Sequence, residues 1–187
     1  MPHINELKKK ARFLKYILGL RPDEFGLVPD KEGYVKIKEL LKAVHEEDGW
    51  RSFRQANINE IMVSLPDPLL EISENRIRAK DGQQIPKRVS PENLPKQLFT
   101  CIRPKALYTI LEKGILPMGR RHVILSSEKN MAKRIGGRID ASPALLTVNV
   151  ENAIKQGTLF LQAGENLFLA RSIPVGCFTA PPLPKEP

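Results

Sequence analysis

An α+β protein in two domains is what the sequence predicts, and three observations carry it. Residues 1–82 hold three amphipathic helical patterns followed by a segment that alternates in period two on both sides of Glu74–Asn75. A stretch rich in Pro, Lys and Gln, "DGQQIPKRVSPENLPKQ", then reads as a connector over residues 83–97. After it, residues 98–187 alternate apolar strands with short helices, the pattern of a mostly antiparallel sheet.

Leu7, Ala11, Leu14 and Leu18 fall on one face of a first helix, which Phe13, Ile17 and Leu20 widen. Gly19 and Pro22 are expected to end it. Gly33 marks a turn, and a short strand follows around Tyr34 to Lys36. "KIKELLKAVHEE" is a second helix. "NINEIMVSL" is a third, with Asn57 as its expected cap and Pro66 as its stop. "LLEIS-EN-RIRAK" is a β-hairpin that puts Arg76, Arg78 and Lys80 on one face. Three helices and a hairpin in this order suggest a winged helix, a shape that meets nucleic acids in some proteins and other proteins elsewhere. In the second domain "ALYTILEKGILPMG" is a helix closed at Gly114. "HVILSS" is a strand, and "SEKNMAKRIGGR" is a helix with Ser127 as its expected cap. "ALLTVNV" and "LFLQAG…NLFLA" are further strands.

Composition narrows the class. The chain is 41% hydrophobic and 27% charged, as globular proteins are. No apolar run reaches membrane-spanning length, and "MPHINELKKKARF" lacks a signal-peptide core, so a cytoplasmic location is expected. Cys101 and Cys177 lack zinc or redox spacing and are expected to be free, buried thiols. His45 stands alone among surface acids, so no metal is expected. Trp50 and Tyr34 read as core or interface residues. Of the net charge of +9, residues 1–93 carry +2 and residues 94–187 carry +7. Such a surplus favours a polyanionic partner.

Three segments resemble the RNA 2′-phosphotransferase family (KptA-like), NAD-dependent enzymes that remove a 2′-phosphate from spliced tRNA. They are "FLKYILGLRPDEFGLVPDKEGYVKIKELL", "RIRAKDGQQIP" and "ILEKGILPMGRRHVILSSEKNMAKRIGGR", and the resemblance covers most of residues 5–175. It implies a winged-helix lobe beside an ADP-ribosyltransferase-like lobe that holds NAD. It also implies a two-step reaction: the RNA 2′-phosphate attacks the ribose carbon bearing nicotinamide, and the neighbouring ribose hydroxyl then displaces the RNA. Guanidinium groups suit this chemistry because they stay charged and fork onto phosphate oxygens.

The resemblance carries Arg78 and Arg138 over as catalytic arginines, and Arg21, a kept basic position, is expected to be catalytic with them. Thr100, Arg120, His122 and Ser126 become the expected NAD contacts, and Arg76, Lys80 and Arg121 the expected RNA or phosphate contacts. Bland readings stand beside these: a solvated strand face for Arg76 to Lys80, surface charge for Arg120 and Arg121, a structural histidine for His122, and helix ends for Ser127 and Arg138.

The chain also departs from the family. Gly19 and Leu20 stand where the family has an Arg-His pair, Gln84 and Thr100 replace histidines, and Ile124 replaces the second histidine of "HVHLS". Three functions follow as alternatives: a 2′-phosphotransferase with a reduced site, in which Arg21 could reach the place of the lost pair; an inactive RNA- or nucleotide-binding module; or an ADP-ribosyltransferase for another acceptor.

Overall fold

A computed structural model of the chain describes residues 2–182, which divide into two compact units with their boundary between residues 86 and 87. Both are α+β, and every strand pairing is antiparallel.

In the first unit, helix α1 (Pro2–Lys15) buries Leu7, Ala11 and Leu14, the stripe expected from its spacing. It does not stop at a glycine cap. The chain widens into one π turn, Tyr16–Leu20, closed by the Arg21 N–H donating to the Tyr16 carbonyl at 3.0 Å. Gly19 lies buried inside that turn, outside the left-handed region. The left-handed glycine is Gly26, after a 3-10 turn that Pro22 begins.

Strand β1 (Val35–Lys36) leads into α2 (Ile37–Val44), and α3 (Gln55–Ser64) follows. Asn57 is not the residue flanking α3. It sits three positions later, where its Oδ1 accepts the Arg54 N–H at 2.8 Å. That still satisfies a donor at the helix start. The hairpin is as expected: β2 (Leu70–Ser73) and β3 (Arg76–Ala79) pair with Ser73 opposite Arg76. The sheet order is β1-β3-β2. Ile77 and Ala79 point into the core with Leu14, Leu18, Leu40 and Ile61, and the polar side chains of β3 point away from it.

The second unit is built on a seven-stranded sheet, order β10-β7-β5-β6-β9-β8-β4. Its strands are β4 (Lys87–Arg88), β5 (Gln97–Ile102), β6 (Val123–Ser126), β7 (Ala144–Asn149), β8 (Phe160–Gln162), β9 (Leu167–Ala170) and β10 (Phe178–Thr179). All four residues of β9 are buried, so both of its faces are covered. Helices α4 (Leu107–Lys113), α5 (Lys129–Gly137) and α6 (Val150–Lys155) complete the unit.

Gly114 closes α4 at φ 82°, and a side chain there would also strike the Ile173 carbonyl. Gly136 serves packing instead: a Cβ would collide with Cys101 on β5 and lie 3.0 Å from Pro143 Cβ. Ser127 does not cap α5. Glu128 flanks the helix, and the Ser126 hydroxyl accepts the Glu128 N–H at 3.0 Å.

Candidate functional site

In the second unit, β5 and β6 lie side by side with Phe99 opposite Ser126. That pairing brings two buried hydroxyl residues close together. Thr100 donates from Oγ1 to the Ile124 carbonyl at 2.9 Å, and Ser126 is fully buried beneath the start of α5. Both line a cleft of about 230 Å³. His122, just before β6, lines it too. So does Arg120, which a tight turn through Met118 (φ 45°) and Gly119 (φ 84°) delivers, with its N–H bonded to the Pro117 carbonyl. Thr100, Arg120, His122 and Ser126 therefore share one cavity.

Apolar residues line it as well, among them Ile110, Ile115, Leu116 and Ile139. A mixed wall of this kind suits a ligand that is part aromatic ring and part sugar or phosphate. Arg103 and Cys101 also line the cleft, and neither was singled out from sequence. The signal for Arg103 was a cation ending an apolar strand just before Pro104. Cys101 is half-buried rather than buried, and Cys177 is fully buried. Burial pushes both thiols up, away from the reactive thiolate. Arg121 is exposed, and neither it nor Arg138 lines the cleft. Arg138 flanks the end of α5, with its N–H on the Ile135 carbonyl, next to Ile139 in the wall.

The cations of the first unit are held differently. Arg76, Arg78 and Lys80 share one face of β3, and each meets an acid. Arg76 bonds Asp30 at 2.8 Å and Glu32 at 3.1 Å. Arg78 reaches Glu71 at 2.7 and 2.8 Å and the Glu32 carbonyl at 2.7 Å, and Lys80 bonds Asp67 at 2.7 Å. Both guanidinium groups also lie against the Tyr34 ring, 4.8 and 4.6 Å from its centroid. Hydrogen bonds to their acids hold all three cations above their ordinary pKa values. Burial pushes Asp30 up, but bonds from the Tyr34 N–H, Arg76 and the Glu32 N–H outweigh it and leave this carboxyl below its usual range.

Arg21 bonds the buried Asp23 at 3.2 and 3.3 Å and Glu24 at 2.9 Å. The space beside Gly19 is filled: a Cβ there would lie 2.8 Å from the Asp81 carbonyl and 2.9 Å from Ala79 Cβ. Gln84 closes over the same spot, its Nε2 donating to the Gly19 and Gly82 carbonyls at 3.4 Å. Two of the positions that depart from the family resemblance thus touch, and Leu20 beside them stays 55% exposed.

Trp50 is half-buried and packs against the core beside Phe13 and Phe53, and His45 bonds the Phe53 carbonyl at 2.6 Å. Among the described residues no group of three or more His, Cys, Asp or Glu could hold a metal ion, and no helix is long and apolar enough to cross a membrane.

Comparison with known proteins agrees with the sequence resemblance. The family model described as "RNA 2'-phosphotransferase, Tpt1 / KptA family" matches residues 5–172. The chain is 33% identical over 171 residues to a probable RNA 2′-phosphotransferase of Acetivibrio thermocellus, covering 90% of this chain and 94% of that one. It is 31% identical over 176 residues to a probable RNA 2′-phosphotransferase of Thermococcus kodakarensis, covering 93% and 97%. A third, from Pyrococcus horikoshii, is 32% identical over 173 residues, covering 91% and 97%. With the match running through both units, from α1 to just past β9, the chain belongs to the RNA 2′-phosphotransferase, Tpt1 / KptA family.

Proposed function

We propose that this chain is an NAD-dependent RNA 2′-phosphotransferase. In this reading the first unit is a winged-helix lobe that engages RNA, and the second is an ADP-ribosyltransferase-like lobe that holds NAD. The observation that carries it is the cleft shared by Thr100, Arg120, His122 and Ser126, with its apolar lining residues. The donor set fits a dinucleotide. Arg120 and Arg103 offer charge to a pyrophosphate, the buried hydroxyls and His122 offer hydrogen bonds to a ribose, and Ile110, Ile115 and Ile139 offer a dry surface to a ring. When bound, NAD supplies a ribose carbon whose bond to nicotinamide breaks.

The chain's own residues bind and orient. Arg76, Arg78, Lys80 and Arg121 are the proposed RNA and phosphate contacts, Arg78 and Arg138 the proposed catalytic arginines, with Arg21 beside Gly19. A phosphate dianion reaching Arg78 competes with Glu71 for the same N–H groups. It brings more charge than one carboxylate, and so displaces it.

A second reading is favoured by one observation: the place of the missing arginine is occupied by the Ala79–Gly82 backbone and roofed by Gln84, and Arg21 is held by Asp23 and Glu24. On that reading the chain binds RNA and NAD but transfers slowly or not at all. Loss of one transition-state charge contact costs about 10²–10³-fold in rate. The protein incubated with NAD and an RNA bearing an internal 2′-phosphate separates the readings. Nicotinamide release with loss of the phosphate is the expected result. Retention of both ligands without release supports the binding module. Release without loss of the phosphate points to another acceptor, and no binding of NAD at all overturns the proposal.

A further inference from the structure

The first unit has a groove of about 390 Å³ away from the β3 cations, between α1 and the loop around residues 49–53. Phe13, Trp50 and Phe53 line it as a tilted aromatic cluster, with successive ring centroids 4.7 Å apart and interplanar angles of 39° and 57°. Trp50 is only part-buried, so it is not sealed into the core. Polar groups surround it. Lys9 on α1 and Ser52 in the loop are exposed, and the Asn57 side chain lines the far end. Among the described residues, Lys9 makes no ion pair, Ser52 Oγ has no hydrogen-bond partner, and Asn57 uses its oxygen but not its amide nitrogen. The other lysine in the groove, Lys10, is neutralised by Glu6 at 2.7 Å. Glu6 also lines the groove and feels the charge of Lys9 as well as that of Lys10, so the groove offers part of an indole, one net positive charge, one hydroxyl and one amide donor.

We propose that this groove binds one unpaired nucleotide of a single-stranded RNA, its base against Trp50 and its phosphate on Lys9. The proposal rests on the reading that RNA is the substrate, and adds a contact that reads no 2′-phosphate. Stacking on an aromatic side chain is tolerant of base identity, and every RNA carries the phosphate that Lys9 needs. Ser52 and Asn57 face the edges of the base. The acids Glu46, Glu47 and Asp48 precede the groove in sequence, so a long basic track is absent there. The contact is accordingly one base and one phosphate, with a shallow salt dependence.

Trp50 is the only tryptophan in the chain, so its emission reports on the groove directly. The intact protein is titrated at low salt with a short single-stranded oligoadenylate that has no 2′-phosphate. Saturable quenching of Trp50 is expected. Lys9→Gln, at an exposed position without an ion pair, should weaken binding several-fold and lower the logarithmic salt slope by about 0.7, one phosphate's share on a single strand. Trp50→Leu should weaken a dye-labelled oligonucleotide about tenfold by anisotropy. If that variant does not fold, the first two measurements still decide.

Binding of the oligonucleotide without any change in Trp50 emission overturns the proposal, as does a Lys9→Gln affinity and salt slope equal to the parent's. Quenching by a proline-rich peptide but not by oligoadenylate assigns the groove to a protein partner and overturns it too. Nicotinamide release, measured on the same preparation, reports on the cleft of the second unit alone, so failure of one reading is distinguishable from failure of the other.

Discussion

The cations of β3 and those of the second unit's cleft are the same residue types in opposite settings. On β3, Arg76, Arg78 and Lys80 face Asp30, Glu32, Glu71 and Asp67, and every one of them is bonded to an acid. In the cleft, Arg120 and Arg103 share the lining with isoleucines in the half of the chain that carries +7 of the net +9. A basic stripe read from alternation is therefore not a basic field. Its partners come from residues up to 46 positions away, and an incoming anion must exchange for a carboxylate there.

The largest expected effects test whether each unit is as tightly built as its glycines imply. Gly114→Val should cost the protein about 3 kcal/mol or more, because the side chain needs both a left-handed backbone and space held by the Ile173 carbonyl. A urea midpoint close to the parent's would sink that. Gly19→Arg, which supplies the arginine that the family resemblance implies at this position, should destabilise by about 1–3 kcal/mol and not restore transfer, since the Asp81 carbonyl and Ala79 Cβ crowd its Cβ. Recovery of phosphate removal in this variant would show that the turn yields.

Next comes the contrast itself. Arg120→Ala should weaken NAD binding about tenfold by calorimetry and leave RNA affinity near the parent's, whereas Arg78→Ala should do the reverse for 2′-phosphorylated RNA. If both variants affect the same ligand, the division of labour is wrong. Glu71→Gln should strengthen binding of the phosphorylated RNA by about two- to fivefold by removing the competing carboxylate. Weaker binding would mean that Glu71 holds Arg78 in its productive position.

The smallest effect concerns pH. Asp30 titrates below its ordinary range when folded, so its stabilisation is present above the unfolded carboxyl pKa and is lost as pH falls through the lower folded value. Thermal melts taken downward from pH 7 should therefore show Asp30→Asn losing less stability than the parent in the acid range. Parallel curves would remove Asp30 from the account.

Much of this was legible in one dimension. The apolar stripe Leu7–Ala11–Leu14–Leu18, the hairpin about Glu74–Asn75, the glycine stop at 114 and the strands of the second half are local patterns of period 3.6 or 2, or single-residue backbone preferences. So were Thr100, Arg120, His122 and Ser126 as a set, through the family resemblance, and they do line one cleft. The local signals failed where two candidates compete within a turn. Ser127 and Asn57 are good capping residues by type, yet Ser126 Oγ takes the place expected of Ser127, and Asn57 acts from three positions inside α3, with Arg54 as the flanking residue. Gly19 looked like a helix stop and is a packing glycine in a π turn.

By itself, then, the sequence determined the α+β class, the element order, the free thiols, the excess of positive charge and the family, because these depend on composition and on neighbours along the chain. Only the tertiary structure decided which cations are neutralised, that Cys101 and Arg103 line the cleft, and that Gly19 has no room beside it. Those properties are set by pairs of residues tens of positions apart, brought within bonding distance by strand register and helix packing, and no local pattern encodes which distant group arrives.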